Sequence, residues 1–180
     1  GRNAVATRYG LVIALTKNMQ FDEARKLLKP MREFAPDNSV YALAEANIDI
    51  ESEQFEAAIS KLEKLLQLSP GSHPITMYLS KAYYFAGRYS EAAELLTKHS
   101  RAKPSDAYLW YLLAEDNGQA GNILGVHLAR AEYFKLNGAL NKGIEHLNLA
   151  LPLARDNVTR ERIQTRIVHF QNIAAALDQL

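Results

Sequence analysis

The phrase "GRYSEAA" at residues 87–93 is the third of its kind in this chain: "MQFDEAR" stands at 19–25 and "EQFEAAI" at 53–59, each starting thirty-four residues after the one before. Other marks keep the same ruler. Pro36, Pro70 and Pro104 are thirty-four apart, as are Ala24, Ala58 and Ala92, and the aromatics Phe21, Phe55 and Tyr89. Four registers held at once define a repeat. A unit that cannot bury its apolar face alone must stack on copies of itself, and identical stacking surfaces require near-identical phrases at a fixed interval.

Between the marks the pattern is helical. "FDEARKLLKPMREF" and "FEAAISKLEKLLQL" place apolar residues three and four apart, with Glu and Lys on the other face. "NSVYALAEANIDI", "HPITMYLSKAYYF" and "DAYLWYLLAEDNGQ" read as partner helices, each just after a proline and opened by a capping residue: Asn38 or Ser39, Ser72 and Asp106. Every unit is therefore helix, tight turn, helix, and the fold class is all-α.

A thirty-four-residue helical pair with these marks resembles the tetratricopeptide repeat (TPR). The third unit carries the pattern on Leu79, Ser80, Tyr83, Ala92, Leu96 and Pro104. The fourth carries it on Trp110, Leu113 and Ala114, with Asn117 where an aromatic is usual. The resemblance implies a superhelical solenoid of about ten antiparallel helices. Ala24, Ala58 and Ala92 are small where the two helices of a unit cross closely, and Phe21, Phe55 and Tyr89 fill the gap to the next unit.

After residue 121 the ruler slips. "GALNKGIEHL" at 138–147 resembles "GRYSEAAELL" at 87–96 with an offset of fifty-one, one and a half units. Residues 122–137 are then one helix that closes the fourth pair and opens the next, with 139–155 as its partner. The array reads as one domain over 1–180, with units at about 5–38, 39–72, 73–106, 107–137 and 122–155, and a capping helix over about 157–178. Ile163, Ile167, Phe170, Ile173 and Leu177 form the seam of that cap. Pro30 and Pro152 fall inside expected helices and should bend them.

Composition narrows the function classes. The 180 residues carry 21 basic and 20 acidic side chains, so no global field favours a nucleic-acid backbone. No apolar run approaches the roughly 20 residues that cross a bilayer, so the chain is not expected to span a membrane. There is no cysteine for thiolate chemistry or zinc ligation. Catalytic motifs such as H-E-x-x-H, a phosphate-binding glycine loop and G-x-S-x-G are missing as well. His73, His99, His127, His146 and His169 are scattered, with no two at a four-residue spacing on one helical face. Glu145 and His146 read as a solvated surface pair, and Asn157 or Thr159 of "NVT" as a helix cap. No catalytic, metal or cofactor residue is expected.

What remains is binding. The TPR resemblance implies that first helices line a groove for another polypeptide. That places Tyr9, Ile13, Leu43, Asn47, Met77, Tyr78, Lys81, Tyr84, Phe85, Tyr108, Tyr111 and Glu115 on or near the groove. Tyr84, Phe85 and Tyr111 are the leading anchors, whereas Tyr83 belongs to the core. A carboxylate clamp of the kind that grips chaperone C-termini is disfavoured, since only Asn47 and Lys81 suit it and Leu43, Met77 and Tyr78 occupy the other places. An apolar groove suits an exposed strand or a loop with hydrophobic side chains.

The order of "TRYG", "FDEARKLLKPM", "PDNSVYALAEANIDI", "LARAEYFKLNGALNKGIEHL" and "RERIQTRIVHFQNI" is similar to the C-terminal region of BepA-like periplasmic zinc metalloproteases. The resemblance covers essentially the whole chain. It implies a periplasmic location and a role in outer-membrane protein assembly and quality control. The implied partners are the β-barrel assembly machinery, outer-membrane protein clients and the protein's own protease domain, with zinc only in that separate upstream domain. The alternative is a free-standing scaffold that binds extended peptides and has no link to a protease.

Overall fold

The computed structural model describes residues 2–177, and among them there are only helices and turns. Two compact units divide the chain, Gly1–Arg88 and Tyr89–Leu180.

The first unit holds α1 (Arg2–Lys17), α2 (Phe21–Phe34), α3 (Ser39–Glu51), α4 (Phe55–Leu68) and α5 (His73–Phe85). Successive helices pack on one another, and α3 also touches both α1 and α5, so the first helices of the repeats lie side by side. The second unit holds α6 (Tyr89–Ser100), α7 (Ala107–Gln119), α8 (Ile123–Leu136), α9 (Leu140–Ala150), a 3-10 turn (Leu151–Leu153) and α10 (Asn157–Leu177). Here α8 packs against α7 and also against α9, so one helix serves two pairs.

The ruler is visible in the backbone. Helix starts at Phe21, Phe55 and Tyr89 repeat every thirty-four residues, as do those at Ser39, His73 and Ala107. In the turns that follow α1, α3, α5 and α7 one residue stands in the left-handed region: Met19, Glu53, Gly87 and Gly121, again thirty-four apart. Only glycine adopts that conformation without a Cβ clash, so Met19 and Glu53 hold local strain that Gly87 and Gly121 avoid.

Ala24 and Ala58 are each 0% exposed, at the close crossing that their size permits, and Ala92 in α6 is 0% exposed as well. In the shared-helix pair the same place, fifty-one residues beyond Ala92, is held by Gly143. A Cβ built there would lie 2.9 Å from Phe170 Cε2 and 3.1 Å from the Ala131 carbonyl. Phe55 stacks on Phe85 of the following repeat, with ring centres 6.2 Å apart. Tyr83 is buried, and its hydroxyl donates to Glu63 Oε1 at 2.6 Å.

The place of Tyr83 is taken one repeat earlier by Asp49, almost wholly buried and held by Arg25 Nη1 and Lys61 Nζ, each at 2.6 Å. One repeat later it is taken by Asn117, whose amide donates to the Leu113 carbonyl and accepts from Asn122 Nδ2. The aromatic of the pattern is thus replaced twice by a polar group that brings its own partners, which removes the cost of burying it bare.

Several local expectations need correction. The partner helix expected over 139–155 stops at Ala150, because Pro152 has no N–H to donate to Asn148 and its ring crowds that carbonyl; a 3-10 turn follows. Pro30 behaves differently, standing exposed inside α2, which runs on to Phe34. Asn38 and Asp106 cap their helices through side-chain oxygens, but the Ser72 side chain makes no capping bond. The cap of α10 is Asp156 rather than Asn157 or Thr159. Its carboxylate accepts from both the backbone N–H and the hydroxyl of Thr159, and those bonds, the backbone one foremost, stabilise the ionised form and hold its pKa below the usual carboxylate range. Ile163 and Phe170 of the cap seam are buried, and Ile167 and Ile173 pack on the same cluster. Leu177, however, is 55% exposed beyond the end of that contact. Asp178, the last residue of the expected cap, lies outside the described residues.

Candidate protein-binding surface

The groove candidates all stand on first helices: Tyr9 and Ile13 on α1, Leu43 and Asn47 on α3, Met77, Tyr78, Lys81, Tyr84 and Phe85 on α5, and Tyr108, Tyr111 and Glu115 on α7. Phe85, Tyr108 and Tyr111 are 53%, 62% and 45% exposed, and the rest are half-buried.

In the first unit the structure gathers two aromatic groups. Tyr9 on α1 meets Tyr41 on α3 with ring centres 6.2 Å apart. Burial, together with the neighbouring phenols of Tyr78 and then Tyr41, pushes the Tyr9 phenol above its ordinary range, so it stays a neutral O–H donor at physiological pH. Further along, Phe85 stacks on Phe55 and meets Tyr84 edge to face at 5.5 Å. Lys81 is not an open cation: its ammonium pairs with Glu51 Oε1 at 2.6 Å. A carboxylate clamp built on Lys81 would first have to break that pair.

The second unit carries a longer aromatic ladder. Tyr108 and Tyr111 sit one helical turn apart on α7 and stack at 6.3 Å. Tyr111 meets Tyr133 on α8 at 6.0 Å, and Tyr133 meets Phe134 edge to face at 5.5 Å. Phe134 then stacks on the His146 ring of α9 at 5.3 Å, with an interplanar angle of 13°. Lys142 Nζ lies 5.6 Å from the Phe134 ring centre. The ladder borders a cleft of about 210 Å³ lined by Tyr111, Ala114, Glu115, Arg130, Tyr133 and Phe134. Rings anchor a partner at small cost in ordering entropy, while the opposite charges of Arg130 and Glu115 supply donors and acceptors for main-chain groups.

Tyr133, Phe134 and Arg130 were not among the sequence candidates. The signal was present in "ARAEYFKL", because a helix shared between two pairs is also a first helix and must contribute to the same face. His146 needs correction as well. It is no solvated partner of Glu145 but faces His127 on α8, with Nδ1 atoms 2.9 Å apart. Burial and the nearby Arg130 lower the basicity of His127. Burial, His127 and Arg130 lower that of His146, against a smaller opposing effect of Glu145.

A TPR array defines this chain: paired helices at a thirty-four-residue period, stacked through small crossing residues, with aromatics left on the first helices. Such an array is a protein-binding scaffold. A tetratricopeptide-repeat family model matches residues 49–115. The fold is shared with MamA from Desulfovibrio magneticus, at 16% identity and a TM-score of 0.61, over 92% of this chain and 96% of that one.

More particularly, the sequence is similar to the beta-barrel assembly-enhancing protease of Escherichia coli, 30% identical over 150 residues, or 83% of this chain and 30% of the relative. The Yersinia pestis protein of the same description is 29% identical over 143 residues, 79% of this chain and 29% of the relative. The chain therefore spans about 30% of the length of the curated relatives it matches. No helix among the described residues is long and apolar enough to cross a membrane.

Proposed function

We propose that this chain is the client- and partner-recognition part of a periplasmic chaperone-protease that acts in the assembly and quality control of outer-membrane β-barrel proteins. The observation that carries the reading is the aromatic ladder on α7, α8 and α9, in a chain similar over most of its length to beta-barrel assembly-enhancing proteases. A stalled β-barrel precursor exposes alternating apolar side chains and unpaired strand edges. Ring faces and the charges of Glu115 and Arg130 complement those groups. No H-E-x-x-H run occurs in the 180 residues, so zinc-dependent peptide hydrolysis belongs to a separate domain of the whole protein. The groove residues Tyr9, Leu43, Asn47, Met77, Tyr78, Lys81, Tyr84, Phe85, Tyr108 and Tyr111 are proposed contacts, joined by Tyr133 and Phe134.

The test is site-specific photo-crosslinking in cells, with a benzophenone amino acid at Tyr84, Tyr111 or Phe134 of the full-length protein. Crosslinks to outer-membrane protein precursors or to the β-barrel assembly machinery support the reading. Crosslinks confined to unrelated proteins would instead favour a free-standing scaffold.

A further inference from the structure

The polar contact between α8 and α9 is a head-on pair of imidazoles, His127 Nδ1 to His146 Nδ1 at 2.9 Å. That is hydrogen-bond length, and the bond needs one ring to carry its proton on Nδ1 while the other offers a lone pair there. A first added proton is compatible with it, because an imidazolium on one side still donates to a neutral ring on the other. A second is not: two N–H groups would then point at each other, each bearing a positive charge. The contact also holds the end of the aromatic ladder. His146 turns its face to Phe134, with ring centres 5.3 Å apart and planes 13° from parallel, and Phe134 lines the cleft with Tyr111 and Tyr133.

We propose that His127 and His146 form an acid-labile clasp, which holds α8 to α9 while at most one ring is charged and parts when both are, releasing the Phe134 end of the ladder. As a control on client capture the clasp rests on the binding function proposed above; as a property of the fold it does not. The neighbouring charges favour release. Arg130 on α8 adds a positive charge near both rings, whereas Glu145 on α9 opposes it at His146. Of the helices packed on this pair, α7 brings Glu115 into the same cleft as Arg130, and α10 brings Arg166, whose charge Glu132 of α8 takes at 2.6 Å. Lys142 Nζ stands 5.6 Å from the Phe134 ring centre, so that ring's attraction for cations is in use before His146 gains a proton. Burial, ahead of His127 at His146 and of Arg130 at both, moves the two rings below the ordinary histidine value of 6.5. A group lowered on folding contributes stability that is whole above its unfolded-state value and is lost as pH falls through the folded-state value. The clasp therefore holds at neutral pH and opens as pH falls below 6.5.

The experiment is amide hydrogen exchange of the chain at neutral pH and at about pH 5, corrected for the intrinsic pH dependence of exchange, beside His127→Gln and His146→Gln. Either variant leaves one imidazole opposite a neutral amide, so no doubly charged pair can form. In the wild type, protection of α8 and α9 should fall on acidification by up to about tenfold per pH unit for each proton that opening takes up, with no matching loss in α3 and α4. Both variants should lose this acid response. Nitrogen-15 magnetic resonance of the wild type needs no variant to fold: the two Nδ1 nuclei should show scalar coupling across the bond at neutral pH and none at the acid end. With an unfolded outer-membrane β-barrel segment as probe, affinity should fall on acidification in the wild type and stay level in His127→Gln. Protection equal at both pH values, an acid response kept in both variants, or no coupling at neutral pH would overturn the clasp. Level wild-type affinity where protection falls would overturn its control of capture, and a probe that binds at neither pH would count against the binding function instead.

Discussion

Gly143→Ala is the substitution whose sign the structure decides most sharply. In an open helix the change would stabilise by about 1 kcal/mol, because alanine loses less backbone freedom than glycine on folding. At this crossing the new Cβ would lie 2.9 and 3.2 Å from Phe170 ring carbons and 3.1 Å from the Ala131 carbonyl oxygen. Ordinary contact begins near 3.4 Å, so α9 must shift several tenths of an ångström away from both α8 and α10. The ring cannot retreat freely, since Phe170 is among the most buried side chains, and the carbonyl belongs to a helix backbone. Overpacking of this kind costs about 1–3 kcal/mol, which exceeds or cancels the propensity gain, for a net loss of up to about 2 kcal/mol. In a chain of this length that is a drop in Tm of up to about 8 °C by calorimetry or circular dichroism. Gly10→Ala in α1 is the internal control: its Cβ would meet nothing within 4 Å, so the propensity gain should appear undiminished. If Gly143→Ala stabilises as much as Gly10→Ala does, the close crossing of α8, α9 and α10 is refuted.

Three further outcomes follow from the same geometry. Asp49→Ala leaves Arg25 and Lys61 facing each other without their shared carboxylate; because both cations keep about a third of their exposure, the expected loss is about 1–3 kcal/mol in urea unfolding. Glu53→Gly relieves a left-handed residue and should raise stability by up to about 1 kcal/mol, whereas Gly87→Ala should lower it by a similar amount. The Tyr9 phenol should titrate above its ordinary range in ultraviolet absorbance, and Tyr78→Phe should bring it back toward that range. Since its folded-state value is raised, the stability it contributes is present below pH 10 and disappears as pH climbs through the folded-state value.

The periodic part of this fold was legible because stacking repeats impose identical demands at identical intervals. Ala24, Ala58 and Ala92 could be assigned to a crossing, and the slip after residue 121 to a shared helix, from spacing alone. What escaped depends on contacts between helices rather than along one. His127 and His146 are nineteen residues apart and share no helical face, so only the packing of α8 on α9 brings them together. Asp49 is paired only because packing brings Arg25 of α2 and Lys61 of α4 to it from either side. Tyr133 and Phe134 escaped because the groove assignment stopped at the first helices of the four regular units, although the shared helix over 122–137 also opens a pair. Pro152 ended α9 while Pro30 left α2 continuous, a difference that proline's local chemistry alone does not decide.

The claim on which the function rests is that the first-helix aromatics receive another polypeptide. Hydrogen–deuterium exchange of the full-length protein, with and without an unfolded outer-membrane β-barrel segment, tests it most directly. The account predicts slowed exchange along α7 and α8 around Tyr111, Tyr133 and Phe134, abolished by a Tyr111→Ala, Phe134→Ala double substitution that leaves the free protein's exchange pattern unchanged. Protection confined to other surfaces, or equal protection in the double variant, would contradict it.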